Sequence, residues 1–167
     1  MEIRKSRITD RTALLDLYLR VARVPGGLAR LASEIDAAYV EDFLTKALKS
    51  GVSYLAVTDE GRLVGEIHAY SPGLFCFSHV LGDLTIAVDP ESQGMGIGRK
   101  LFEALMNDVT SNLPGISRVE LIARESNHAA IRFYESLGFA REGRLLQRIK
   151  NPDGSLESDV PMAWTRD

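Results

Sequence analysis

Between residues 88 and 100 the chain reads Val88-Asp89-Pro90-Glu91-Ser92-Gln93-Gly94-Met95-Gly96-Ile97-Gly98-Arg99-Lys100. Alternate glycines suit close contact with a ligand, because with no Cβ in the way the backbone comes near it and turns successive N–H groups inward. A helix starting there adds about half a positive charge at its N-terminus. Such a concavity binds phosphate. Arg99 and Lys100 supply direct charge, although a cation in a first helical turn opposes the dipole. A Walker A loop would end Gly-Lys-Ser/Thr, whereas Arg99-Lys100 is followed by Leu101, with no hydroxyl for Mg²⁺. A dinucleotide fingerprint would read G-x-G-x-x-G, and here the spacing is G-x-G-x-G. Glu120 does stand about 20 residues on, where a ribose-binding acid is expected, so a nucleotide- or dinucleotide-binding enzyme is the alternative reading. A third reading makes the glycines a tight turn and helix cap only.

Titratable residues recur at strand spacing nearby. Glu66 and His68 alternate on one segment, and His79 and Asp83 are an even number of residues apart on the next, so each pair is expected on one sheet face, where it can act on one substrate. Three histidines, His68, His79 and His128, do not make metal spacing, and no metal is expected. Cys76, between Phe75 and Phe77, is expected to be inert and buried.

The elements that must position these groups follow from hydrophobic period. A strand at residues 3–7 precedes a helix capped by Thr9 or Asp10, striped by Leu14, Leu17, Tyr18 and Val21, and ended by Pro25-Gly26-Gly27. Ser33 with Asp36 resembles a capping box for a second helix, which buries Ile35, Tyr39, Phe43, Leu44 and Leu48 and runs to Gly51. The period then changes to two. Residues 53–58 and 63–70 form a hairpin, and a strand at 79–88 stops at Asp89-Pro90. Ile97, Leu101, Leu105 and Val109 stripe a third helix, residues 118–123 form a branched-residue strand, and Asn127 caps a fourth helix ended by Gly138. Two last strands flank Asn151-Pro152-Asp153-Gly154. A fold of class α/β, α+β by stricter naming, is expected: a mixed, mainly antiparallel sheet of about seven strands with helices on both faces.

Composition bounds the function. At 167 residues, 45% hydrophobic and 26% charged, the chain fits a single domain over residues 1–167 with a full core, and its lone cysteine excludes a disulfide framework. A net charge of −3 and pI near 5.7 argue against a nucleic-acid partner. With neither a signal core nor an apolar run of about 20 residues, no membrane partner and a cytoplasmic location are expected. Arg141, Arg144, Arg148 and Lys150 are expected to keep an edge strand soluble.

Gln93-x-x-Gly96-x-Gly98 resembles the Q/R-x-x-G-x-G/A loop of the GNAT superfamily of acetyl-CoA-dependent N-acetyltransferases. Asn127, Ala130 and Phe133-Tyr134-Glu135-Ser136-Leu137-Gly138-Phe139, about 30 residues on, resemble that family's second signature. The resemblance spans nearly the whole chain in element order. It implies acetyl-CoA as cosubstrate, with its pyrophosphate on the amides of Gly94, Gly96, Gly98 and Arg99 beside Gln93. The pantetheine arm would pair with Ile86, Ala87 and Val88, and Asn127 would approach the cofactor. It implies direct acetyl transfer to a primary amine of a small molecule or peptide, the Val88 N–H stabilising the oxyanion and Tyr134 reprotonating the thiolate. A homodimer is a family habit. For the base, Asp83 and Glu66 rank above the histidines: Asp83 is nearest the pantetheine site and Glu66 sits in an apolar strand. A noncatalytic acyl-CoA sensor would keep the same loop.

Overall fold

The computed structural model describes residues 1–166. In chain order its elements are β1 (Glu2–Lys5), α1 (Arg11–Ala22), α2 (Ala37–Ser50), β2 (Gly51–Val57), β3 (Leu63–Tyr70), β4 (Val80–Val88), α3 (Ile97–Asn112), β5 (Arg118–Arg124), α4 (His128–Ser136), β6 (Ala140–Arg141), β7 (Leu145–Lys150) and β8 (Leu156–Thr165). The apolar stripes decide the helices: α1 buries Leu14, Leu17, Tyr18 and Val21, and α3 buries Ile97, Leu101, Leu105 and Val109 on one face. The expected capping box at Ser33 does not form. Ala32–Glu34 make a separate 3₁₀ turn, Ile35 is extended, and Asp36 alone caps α2, accepting the Tyr39 amide at 2.8 Å. After α4, Gly138 takes φ +90°, which returns the chain so that Phe139 packs edge-on against Phe102.

The strands form one sheet in the order β1-β2-β3-β4-β5-β8-β6, with β7 paired to β8. The eighth strand beyond the expected seven is the two-residue β6. Among the described residues only β4 and β5 run parallel, joined by the α3 crossover. Helices α1 and α2 pack on one face around Tyr18, Phe43, Leu44 and Leu55; α3 and α4 pack on the other around Phe102, Leu105 and Ile131. Cys76 departs from expectation. It is exposed on a 3₁₀ turn, Phe75–Phe77, that stands off the sheet and leaves Phe75 95% exposed. The C-terminal arginines meet carboxylates: Arg141 pairs with Glu135 and Arg148 with Asp159, each at 2.7 Å, and Arg144 pairs with Glu125. Among the described residues no helix is long and apolar enough to cross a membrane.

Asp89 fastens the start of the glycine loop. Only 1% exposed, it accepts from Arg20 Nε and Arg62 at 2.9 Å and from the Glu91 amide at 3.1 Å. Burial alone would raise its pKa, but the Glu91 amide and the arginines outweigh it and hold the carboxyl below its ordinary value. A depressed carboxyl contributes stability above its unfolded pKa of about 3.9, and that contribution is lost as pH falls through the lower folded value. Asp89→Asn is therefore expected to lower stability by about 1–3 kcal/mol at pH 7, discounted because both arginines are partly solvated, and the loss should shrink in the acid limb of a denaturation series. A loss independent of pH would contradict this.

Candidate active site

The site begins where the parallel ladder fails. β4 and β5 pair only at Val80↔Arg118 and Leu81↔Val119 and then diverge. At the point of divergence β4 bulges: His68 faces Thr85 but Tyr70 faces Gly82, so two residues, Asp83 and Leu84, oppose Ala69, and Asp83 takes φ +49°. Because the bulge breaks the alternation, Asp83 does not share a regular face with His79, which lies exposed ahead of β4.

Beyond the bulge β4 stays paired with β3. The Asp89 amide donates to the Val64 carbonyl, which makes 64/89 a hydrogen-bonded pair and, two residues back, 66/87 as well. The N–H and C=O groups of Ile86 and Val88 therefore point the other way, into the gap beside β5. Ala87 is corrected by the same parity: 1% exposed, it spends its backbone groups on Glu66 and has none for a ligand.

The gap is a cleft of two adjoining cavities, about 550 and 440 Å³, which share Leu84, Thr85, Leu121 and Ile122. The smaller holds Ile86, Asn127 and Tyr134. Asn127 uses its side-chain oxygen to cap α4, accepting from the Ala130 amide at 3.0 Å. Tyr134 lies between, its ring against Phe102 at 5.4 Å and its hydroxyl without a protein partner among the described residues. Burial pushes its phenol above the ordinary value.

At the C-terminal end of β4 lies the glycine loop. Gly94 and Gly96 take φ +78° and +74°, and Gly96 is the N-cap of α3 with no side-chain cap. Lys100 donates to the Gly96 carbonyl, but the N–H groups of residues 94–99 have no protein acceptor among the described residues. Gly98 sits against the Ile86 and Val88 side chains, at 3.6 and 4.0 Å from where a Cβ would be, so the loop abuts the open β4 edge. Gln93 is exposed beside it, and Arg99 is steered across to α4, donating to Ser136 Oγ at 3.2 Å. The residues present fit a ligand that carries a diphosphate and an extended amide arm.

The larger cavity is walled by Tyr39, Phe43, His68 and Tyr70, with Arg30 and Asp83 at its mouth. Glu66 does not reach it. At 0% exposure it lies behind His68, on the α1–α2 side of the sheet, and accepts from Tyr18 and Ser53. Sequence spacing puts Glu66 and His68 on one face, and they share it; the register of β3 against the diverging strands puts His68, not Glu66, at the cavity wall.

Residues 12–139 match the family described as Acetyltransferase (GNAT) family. The chain belongs to that family. It is 40% identical to the mycothiol acetyltransferase of Thermobispora bispora over 48% of this chain and 28% of that one, and 40% identical to a [ribosomal protein bS18]-alanine N-acetyltransferase of Haemophilus ducreyi over 47% and 52%. These matches thus span about half, or less, of each relative. A phosphinothricin acetyltransferase of Sinorhizobium meliloti, solved in complex with AcCoA, has the same fold at 18% identity, with a TM-score of 0.84 over 98% of this chain and 87% of that one. As a GNAT-fold protein, the chain has the mixed α/β architecture described above.

Proposed function

We propose that the chain is an acetyl-CoA-dependent N-acetyltransferase that moves an acetyl group to a primary amine of a small molecule or peptide by direct attack. The observation that carries this is the run of amides at residues 94–99, without a protein acceptor among the described residues, abutting an open β4 edge. The loop amides and the N-terminus of α3 hold the diphosphate. Ile86 and Val88 offer strand-like hydrogen bonds to the amides of the pantetheine arm. The Val88 N–H is the donor for the charge that develops on the thioester oxygen, and Tyr134 gives its proton to the departing thiolate.

Charge in the larger cavity narrows the acceptor. Asp42 is paired with Lys46 at 2.7 Å and Glu120 with Arg118 at 2.6 Å. Arg30, lying 4.2 Å over the Tyr39 ring, and Asp83 make no ion pair among the described residues. One cation and one anion left over suit an acceptor that carries a carboxylate beside its amine, as an amino acid does. Arg30→Ala is expected to raise KM about tenfold for such acceptors and leave KM unchanged for amines without a carboxylate. Equal effects on both groups would assign Arg30 to general packing.

Thiol release from acetyl-CoA across a panel of amines, amino acids and peptide N-termini tests the function. Turnover with at least one primary amine, together with thermal stabilisation by acetyl-CoA, is expected. Stabilisation by NAD or ATP with none by acetyl-CoA would reject it in favour of a nucleotide enzyme. Tight acetyl-CoA binding without turnover on any amine would make the chain a sensor.

A further inference from the structure

We propose that His68 is the general base that deprotonates the acceptor amine, and that Glu66, held by Tyr18 and Ser53, is the positioning residue that fixes its tautomer. The proposal rests on the acetyl-transfer reading and names a part of the machinery that reading leaves open.

Glu66 is a fully buried carboxylate with no Lys or Arg cation against it among the described residues; hydroxyl and imidazole groups surround it. Tyr18 Oη donates to Oε2 at 2.6 Å and Ser53 Oγ to Oε1 at 2.8 Å, with Ser6 Oγ bonded in turn to Ser53 at 2.5 Å. His68 Nδ1 lies 3.1 Å from Oε2 and 3.2 Å from Oε1. Burial, and then the negative charge of Glu66, pushes the Tyr18 phenol well above its ordinary value, so it stays a donor. With Tyr18 and Ser53 donating to its two oxygens, Glu66 faces Nδ1 as an acceptor, so Nδ1 carries the proton of the neutral ring and Nε2 is left with its lone pair.

Nε2 has an outlet. It makes no hydrogen bond to protein, yet among the described residues no buried side-chain nitrogen or oxygen lacks a partner. Nε2 is thus reached by solvent although the residue is only 2% exposed, and the space His68 borders is the larger cavity. The ring is clamped between Phe43, stacked at 4.2 Å and 10°, and Tyr70, nearly parallel at 5.9 Å. The two stacked aromatic neighbours fix the plane of the ring. Asp83, the competing candidate, is exposed in the bulge, with the Tyr70 hydroxyl beside it in place of the buried Tyr18–Ser53–Glu66 network that holds His68.

The protons balance. The acceptor ammonium gives one proton to Nε2, which passes it to solvent. The freed nitrogen lone pair forms the C–N bond while the carbonyl pair moves onto oxygen beneath the Val88 N–H. Return of that pair breaks the C–S bond, and the thiolate takes the Tyr134 proton. The second nitrogen proton, shed as the amide forms, restores the phenol through water.

The test measures thiol release by the full chain for His68→Gln, His68→Ala, Glu66→Gln, Tyr18→Phe and Asp83→Asn, with the best acceptor from the amine panel. His68→Gln and His68→Ala should lose about 10²- to 10⁴-fold in kcat and keep their thermal stabilisation by acetyl-CoA. Added imidazole should restore turnover to His68→Ala, with rates that follow the basicity of substituted imidazoles, which cavity filling alone would not do. Glu66→Gln should lower kcat about tenfold or more with KM nearly unchanged; Tyr18→Phe, which keeps the ring packing, should show a smaller loss of the same kind and stands in if Glu66→Gln does not fold. An active parent chain whose His68→Gln variant keeps kcat within about threefold, or in which Asp83→Asn alone abolishes turnover, would overturn the relay and leave acetyl transfer standing. A parent chain that acetylates no amine would overturn both.

Discussion

Tyr134→Phe is expected to lower kcat by about 10²- to 10³-fold while acetyl-CoA affinity stays within about twofold. The substitution removes one oxygen and nothing else from the packing. The ring remains against Phe102, Phe133 and Phe139, so stability should change little. What is lost is, among the described residues lining the smaller cavity, the one phenol that can lend a proton to a thiolate; Asn127, its neighbour there, spends its side-chain oxygen on the α4 cap. The sign of the pKa shift fits an acid. Burial raises the phenol above its usual value of about 10, so the proton is held throughout the neutral and mildly alkaline range and is lost only as pH rises through the raised value. Any alkaline fall in kcat due to Tyr134 therefore lies above a pH of about 10. Steady-state kinetics with a good amine acceptor, set beside a direct acetyl-CoA titration, checks both halves. Unchanged kcat would return Tyr134 to a packing role on its apolar stripe.

Period and punctuation make most of this fold legible, because Leu14, Leu17, Tyr18 and Val21 can hide together only on a helix, Asn127 starts α4, and Gly138 and Asp89-Pro90 end elements by local chemistry. The cleft is another matter. Its opening depends on β4 and β5 parting after Leu81, and on a bulge at Asp83 that a residue with a Cβ adopts against its own preference. Neither leaves a local mark. The parity that turns Ile86 and Val88 toward the gap and Ala87 toward β3 appears only once the 66/87 register is known. The same holds for the base: alternation puts Glu66 and His68 on one face, but depth decides between them, and depth is set by Tyr18 and Ser53 from α1 and β2. Cys76 shows the limit from the other side, since flanking phenylalanines suggest burial and the 3₁₀ turn carries all three outward. The glycine loop could be read at once because its job is done by backbone, and backbone conformation is what glycine encodes.

That loop also bears the second large effect. Gly96→Val is expected to weaken acetyl-CoA binding about 10- to 100-fold and to lower stability by only about 1–2 kcal/mol. Gly96 takes φ +74° and ψ 10°, and a Cβ built there meets nothing within 4 Å. The cost is therefore conformational rather than steric. A branched side chain leaves the left-handed region by rotating the peptide planes on either side, which turns the neighbouring loop N–H groups away from their common focus. Free of the strain, the fold survives; without convergent amides, the diphosphate loses its partners. S-acetyl-pantetheine lacks the diphosphate but keeps the thioester and the arm that reaches β4. If the loop acts only on the diphosphate, the wild-type chain and Gly96→Val should use S-acetyl-pantetheine equally well while differing sharply with acetyl-CoA. A variant impaired equally with both donors would mean that Gly96 acts through the shape of the whole cleft, since α3 and β4 meet at Gly98 just beyond it.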